Sequence, residues 1–283
     1  MTTTHGVSAR LYEHHPALGR HQVLDARSLS YRHPGTNVRA GTVHWQPKIP
    51  VLDQQHLFQQ GIRTSLLAPT PEDVDALGSC TANAATAALS VLLTEDQCAA
   101  AGLDITDAVA AQEWAISLYS EATRQDEWLA RQWPEDDCGS SGLGVARAVH
   151  ARGLIGSYHH ATNSLGLLDM LRGGPALIGM PWYNAFFEPP TNGNLADLPD
   201  WRRSGIAGGH EVCVIGIEQI AWTDRLPNRG PTPVLPDLDR TVLRVRNSWG
   251  ASWGLDGDFL LPLSIYAELR REIDAIAFRP VTA

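Results

Sequence analysis

From residue 81 to residue 93 the chain runs TANAATAALSVLL, small and apolar side chains with almost no polar face. Alanine and leucine favour the helix, and a helix that is apolar nearly all round has to be enclosed on every side. The rest of the chain must fold around this segment. Immediately before it stands Leu77-Gly78-Ser79-Cys80, a small-residue turn that delivers one cysteine to the helix N-terminus. Unpaired N–H groups and the helix dipole stabilise a thiolate there. Gly78 permits close backbone approach, and the neighbouring N–H groups could serve an oxyanion. On its own the Gly-Ser-Cys tripeptide fits a small, packed cysteine better.

Two later segments reverse that balance. Gly208-Gly209-His210 opens the apolar, β-branched run Val212-Cys213-Val214-Ile215, which puts His210 at the mouth of a buried strand. Val242-Leu243-Arg244-Val245-Arg246 reads as another strand and ends in Asn247-Ser248-Trp249-Gly250, with Trp253-Gly254 and Gly257 marking a turn beyond it. The chain order is therefore cysteine, histidine, asparagine: a nucleophile, its base and the group that orients the base.

On Gly78-Ser79-Cys80, Gly208-Gly209-His210 and the Asn247-Ser248-Trp249-Gly250 segment with its Trp253-Gly254 and Gly257, the chain resembles the papain-like cysteine peptidases. The resemblance runs from Trp45 to Phe278 with insertions. It is strongest to the bacterial and bacteriophage branch, in which threonine or a small residue follows the nucleophile; Thr81 does so here. It implies an α+β, papain-like two-lobe fold: a helical lobe plus a β-barrel-like sheet lobe with the active-site cleft between them. It also implies Cys80, His210 and Asn247 as catalytic residues, with Trp249 shielding the His210–Asn247 contact from water. In relatives a Pro-Val-x-x-Gln segment stands before the nucleophile, and its glutamine donates to the oxyanion. Counting back six residues from Cys80 gives Val74, which cannot donate. Matching the motif selects Gln54 and leaves a loop of about 56–76 as an insertion, while Gln60-Gly61 offers a competing register. The glycine-rich loop before the helix at 143–152 is implied to offer backbone groups to an extended peptide, with Ser141 and Gly142 as the substrate-binding candidates. The same string is also a plain helix-entry turn. Gly209 lies at a pocket position beside His210 and brings no charge there. Secreted relatives bridge a cysteine three residues before the nucleophile to one in a Gly-Cys-x-Gly-Gly segment; Leu77 fills the first position, so that bridge is absent.

The function expected is hydrolysis of peptide or isopeptide bonds through a covalent acyl-enzyme, with no metal or organic cofactor implied. Two alternatives stay open: a catalytically impaired peptide-binding module, and an amidase or acyltransferase acting on cell-wall or conjugated peptides. The partner expected is a peptide or protein substrate. With 283 residues, 43% hydrophobic and 19% charged, the chain can bury a substantial core. A formal charge of -9 without a basic stripe argues against nucleic acid, and no apolar run approaches the roughly 18 residues needed to span a bilayer. Cys98 and Cys213 lie in helical and strand patterns and read as inert. Cys138 follows Asp136 and Asp137, carboxylates that raise a thiol's pKa and make it a poor nucleophile. The absence of a signal-like segment and of a disulfide framework suits a cytoplasmic, possibly phage-associated protein.

The expected organisation is an N-terminal arm over 1–44 and a peptidase domain over 45–283. Its helical lobe spans about 77–160, and its sheet lobe about 161–283 plus part of 45–55. The arm is polar and rich in histidine (His5, His14, His15, His21, His33) without a metal-ligand spacing. A flexible strap along the surface is the expectation; if it inhibits anything, it does so as an extended segment crossing the cleft. Helices are further expected over 106–125, 165–171 and 263–271, strands over 175–182 and 275–278, and an exposed proline-rich excursion over 224–239.

Overall fold

The computed structural model describes residues 2–4, 7–12, 15, 17–33, 35, 39–62, 75–223 and 234–281. His5, His14, residues 63–74 of the insertion and residues 224–233 of the proline-rich excursion lie outside them. The strands, in chain order, are β1 (Thr2–Thr4), β2 (Val7–Arg10), β3 (Arg20–Asp25), β4 (Arg32–His33), β5 (Val43–His44) and β6 (Ser140–Ser141). They continue with β7 (Ser157–Ala161), β8 (Ala176–Tyr183), β9 (Ile206–Gln219), β10 (Val242–Arg246), β11 (Asp258–Pro262) and β12 (Asp274–Arg279). The helices are α1 (Cys80–Leu92), α2 (Glu95–Ala100), α3 (Ala108–Gln125), α4 (Gly142–Ala151), α5 (Ser164–Leu171) and α6 (Leu263–Leu269).

Helix α1 is the buried axis that its composition requires, with Cys80 through Ser90 all inaccessible to solvent. Its last carbonyls have no partner inside the helix, and Lys48 supplies the donor. The ammonium donates to Ser90 C=O at 2.6 Å, Val91 C=O at 3.2 Å and Leu93 C=O at 2.7 Å. A cation at a helix C-terminus also opposes the dipole's negative end. Helix α3 starts where Asp107 accepts from the N–H groups of Val109 and Ala110. Helix α4 starts where Ser141 Oγ accepts from Gly144 N–H. Both are side-chain N-caps of the kind worth about 1 kcal/mol.

The main sheet runs β11-β10-β9-β8-β12-β7-β4, with β5 added on β9. Alternation along its central strands sends side chains to opposite faces. Leu177, Cys213, Ile215, Ile276 and Phe278 join α1, α3 and α4 in one core. Ile178, Val212, Val214, Ala275 and Ala277 join α5 and α6 in a second. The sheet therefore separates two cores, and its α1 side is the wall shared with the helical lobe. One expectation is corrected: among the described residues the sheet is open, running from β11 at one edge to β4 at the other, and is not closed into a barrel.

The arm departs further from its sequence expectation. It is not a strap over the surface, because β3 runs into the groove between the lobes. It pairs antiparallel with β2 and parallel with β6, Arg20 against Ser140 and His21 against Ser141. Arg20, His21, Gln22 and Asp25 are all buried. His21 is fixed there, its Nε2 2.7 Å from Cys138 C=O and its Nδ1 accepting from Tyr12 N–H at 3.3 Å. Beyond its local hairpin with β2, β3 takes its second edge from a segment more than a hundred residues away, which no local pattern in the arm announces.

Candidate active site

Cys80 is the first residue of α1, wholly buried, with no acidic side chain in the helix's first turn. His210 lies in β9 opposite Met180 of β8. Asn247 follows the last residue of β10 and is anchored by its own N–H donating to Gly257 C=O at 2.9 Å. That turn depends on Gly257 at φ +85°, where a side chain would be strained and would also strike Val51.

The His210–Asn247 pair is made. Nε2 of His210 and Oδ1 of Asn247 are 2.7 Å apart and both are buried. Ser248 N–H donates to the same Oδ1 at 2.8 Å, which identifies that atom as the amide oxygen. Nε2 must then carry the proton, and Nδ1 of a neutral ring presents a lone pair. Trp249 stacks on the imidazole, centroids 4.8 Å apart at 24°, and Trp182 meets it edge-on at 4.8 Å. These indoles keep water from the Asn247 contact, where a hydrogen bond is stronger for lack of competition.

Gln54 is a buried, fully occupied amide and not a surface residue. Its oxygen accepts from Asn83 Nδ2 at 3.0 Å and Ser248 Oγ at 2.7 Å. Asn83 in turn accepts from Gln112 Nε2 at 3.0 Å, and the Gln112 oxygen accepts from Asp53 N–H at 3.1 Å. This amide chain turns the Gln54 NH2 toward Leu77 C=O at 2.9 Å and Ala17 C=O at 3.3 Å. The backbone returns to the same point, with Leu77 N–H donating to Gln54 C=O at 3.0 Å. Asn83 and Gln112 were missed in the sequence. The available signal was an amide inside an otherwise apolar helix, since a polar group buried there needs a partner.

The arm fills the space between these groups. The N–H groups of Gly19 and Glu211 point at the Cys80 sulfur. Ser140 N–H donates to Gly19 C=O at 2.7 Å. Ala17 C=O takes the indole N–H of Trp249 at 3.2 Å as well as the Gln54 amide. A side chain on Gly209 would collide with Arg20 C=O, and one on Gly139 with Gly19 C=O. Burial pushes the Cys80 thiol up to about 12, the two amides only partly offsetting it. Burial pushes His210 down to about 4 despite its bond to Asn247. Nδ1 of His210 has no hydrogen-bond partner. Sulfur and imidazole are both neutral in this closed state.

Ser141 and Gly142 sit beside the same edge, but their side-chain positions are committed elsewhere. Ser141 caps α4 and donates to Asp126 at 2.8 Å. Gly142 begins α4 and lies against Asp274 and Glu211. The backbone that meets the arm is that of Gly139, Ser140 and Ser141. All four cysteines are unpaired. Cys98 and Cys213 are buried, and Cys138 is pushed up to about 12, first by burial and then by Asp137 and Asp136.

A buried helix headed by a cysteine, packed on a sheet that carries a histidine–asparagine pair, belongs to the papain-like cysteine-protease fold. Xylellain, a cysteine protease from Xylella fastidiosa, shares it: TM-score 0.60 and 18% identity, covering 96% of this chain and 98% of that one. The bromelain protease from Ananas comosus overlaps more loosely, with TM-score 0.41 and 14% identity over 86% of this chain and all of that one. Among curated sequences, an uncharacterized peptidase C1-like protein of Acanthamoeba polyphaga mimivirus is 27% identical over 114 residues, 40% of this chain. The matched part spans 30% of that relative's length. No protein-family model matches the chain. Among the described residues no helix is long and apolar enough to cross a membrane.

Proposed function

We propose that the chain is a cysteine peptidase, held latent by its own N-terminal arm, that hydrolyses peptide or isopeptide bonds. The observation that carries this is the 2.7 Å contact between His210 Nε2 and Asn247 Oδ1. It leaves a basic Nδ1 on the residue next to Glu211, whose N–H reaches the Cys80 sulfur. When the arm leaves and water enters, the desolvation that holds both groups neutral is lifted. Proton transfer from Cys80 to Nδ1 then gives thiolate and imidazolium. The thiolate attacks the scissile carbonyl; Gln54 Nε2, freed from Ala17, and the Cys80 N–H receive the oxyanion. Imidazolium returns its proton to the leaving amine, an acyl-enzyme remains, and His210 then activates water to release it. Asn247 holds the ring in the required tautomer throughout.

The test is a pair of substitutions in the full chain. Cys80→Ala abolishes both peptide hydrolysis and labelling by a thiol-directed electrophile, whereas Cys138→Ala keeps both. Turnover surviving in Cys80→Ala refutes the proposal. The occupied groove and the neutral pair also favour one second reading, a peptide-binding module without chemistry. Under that reading Cys80, once exposed, alkylates no faster than an ordinary thiol.

A further inference from the structure

Arg20 is a wholly buried guanidinium contributed by the arm, and the acids that surround its charge belong to the body of the protein. It enters a recess whose acids are Glu211 of β9 and Asp274 of β12. Nη2 donates to Asp274 Oδ1, and Nε lies 4.0 Å from Glu211 Oε2. Two glycines make the room. A Cβ on Gly179 would sit 2.5 Å from Glu211 Oε2 and 2.6 Å from Asp274 Oδ1; one on Gly142 would sit 2.6 Å from Asp274 Oδ2.

The hydrogen bonding of the recess is incomplete. Both carboxylate oxygens of Glu211 are buried without a hydrogen-bond partner, and so are Nε and Nη1 of Arg20. Removing ions from water costs several kcal/mol each unless they are paired and hydrogen-bonded. An ion pair serving stability alone is expected to satisfy its own lone pairs. Here two acids wait on the protease body while the cation rides on a removable segment and uses part of their capacity. Burial, with Asp274 alongside, holds the Glu211 carboxyl well above the usual carboxylate range, and Arg20 opposes this. A cation reaching both acids would use the two Glu211 oxygens that Arg20 leaves unpartnered.

The position relative to Cys80 is also defined. Gly19 covers the sulfur, Ala17 lies toward Gln54 and Trp249, and Arg20 lies toward Ser140. Trp249 stacks on the imidazole that protonates the leaving amine, so the Ser140 side receives the acyl portion of a substrate.

We infer that Glu211 and Asp274 form a recess for a basic side chain, arginine above all, on the acyl side of the bond cleaved, and that Arg20 fills it as a stand-in. Arginine is preferred to lysine because its planar fork can reach both carboxylates at once. This rests on the peptidase reading for the chemistry, but not for the recognition.

The experiment uses fluorogenic peptides that differ only in Arg, Lys, Leu or Glu, scanned over the three acyl-side positions, with the full chain. At one position Arg exceeds Leu at least tenfold in kcat/KM, and Glu is poorest. Glu211→Gln and Asp274→Asn each bring the Arg-to-Leu ratio toward one. The same peptides are titrated against full-length Cys80→Ala by fluorescence anisotropy, where Arg again binds at least tenfold tighter than Leu. Cleavage with no Arg preference at any position overturns the recess and leaves the peptidase standing. No cleavage, but a retained Arg preference in binding, overturns the peptidase and keeps the recess. No preference in either assay overturns the recess, and the wild-type comparison decides this even if a recess variant fails to fold.

Discussion

Gly19→Ala should unlock the enzyme. A Cβ at this position would lie 2.5 Å from Gly78 Cα and closer still to the Gly78 carbonyl. Carbon atoms pack at about 3.5–4.0 Å, so the arm and the turn before Cys80 must part by roughly 1 Å or more. No rotamer relieves this, because the atoms struck are backbone. Parting removes the 2.7 Å bond from Ser140 N–H to Gly19 C=O and lifts the Gly19 N–H off the Cys80 sulfur. A net hydrogen bond is worth about 1 kcal/mol, and an overpacked methyl typically costs about 1–3 kcal/mol. A loss of about 3 kcal/mol in arm docking follows, or roughly a hundredfold rise in the open fraction at 1.4 kcal/mol per decade.

The assay is the second-order rate of Cys80 carboxymethylation by iodoacetamide at pH 7, read by mass spectrometry of the Cys80 peptide. The expected rise is about a hundredfold over wild type, from the same docking estimate, with hydrolysis of a small peptide rising in parallel. Gly209→Ala separates the arm from the groove itself. A Cβ there meets the Arg20 carbonyl and, at 2.8 Å, the Tyr12 ring, so it also displaces the arm. It narrows the same groove for any peptide, however, so labelling rises while hydrolysis falls. If Gly19→Ala labels at the wild-type rate, the arm does not gate Cys80 and the latency argument is wrong.

Gln54→Ala should lower kcat by about 10²–10³ with little change in KM, as expected for one lost oxyanion donor; an unchanged kcat removes Gln54 from that role. Acid should open the cleft. Burial holds His210 at about 4 against an ordinary 6.5, so the closed form stays neutral while the opened form takes up a proton. The closed form loses roughly 3 kcal/mol relative to the opened one as pH falls from about 6.5 to about 4, and no more below that. Hydrogen-exchange protection of residues 17–25, corrected for intrinsic rates, should fall through this window; constant protection counts against it.

What the sequence displayed well were elements that carry their own signal. Helix α1 is marked by its alanine run, and α3 by Asp107 before a periodic stretch. Strands β9 and β10 are marked by β-branched runs beside glycine or asparagine, and β8 by an apolar run after Gly174-Pro175. Asn247 follows β10 as its pattern suggests, whereas His210, expected at the mouth of its strand, lies inside β9, four residues after Ile206. Sheet closure was not legible, since it depends on which distant edges meet. The recess escaped for a related reason. Glu211 reads as one acid in HEVCVIG and Asp274 as one near the C-terminal strand, and only the β8–β9 and β8–β12 pairings bring them to the same glycine. A carboxylate in a run that must be buried was the available hint, because such a group requires a counter-charge.

The glycines beside the candidate catalytic residues carry the deeper ambiguity. Gly78, Gly139 and Gly209 each announce that some backbone approaches closely, and they are silent about whose. In this structure the approaching chain is the arm: Gly19 at Gly78 and Gly139, and Arg20 at Gly209. A substrate strand needs the same clearances, so no substitution on these walls can exclude the arm without also reshaping the groove for substrate. The arm's own residues are not bound in this way. β3 runs parallel to β6, and a peptide laid antiparallel on that edge would present its carbonyls in a different order to Cys80 and Gln54. Strand direction can thus let one groove hold its own arm uncut while cleaving other chains. An intact arm in purified wild-type protein, together with turnover of a peptide of opposite polarity, is the outcome this requires. Rapid self-cleavage at residues 17–20 would show that direction offers no such protection.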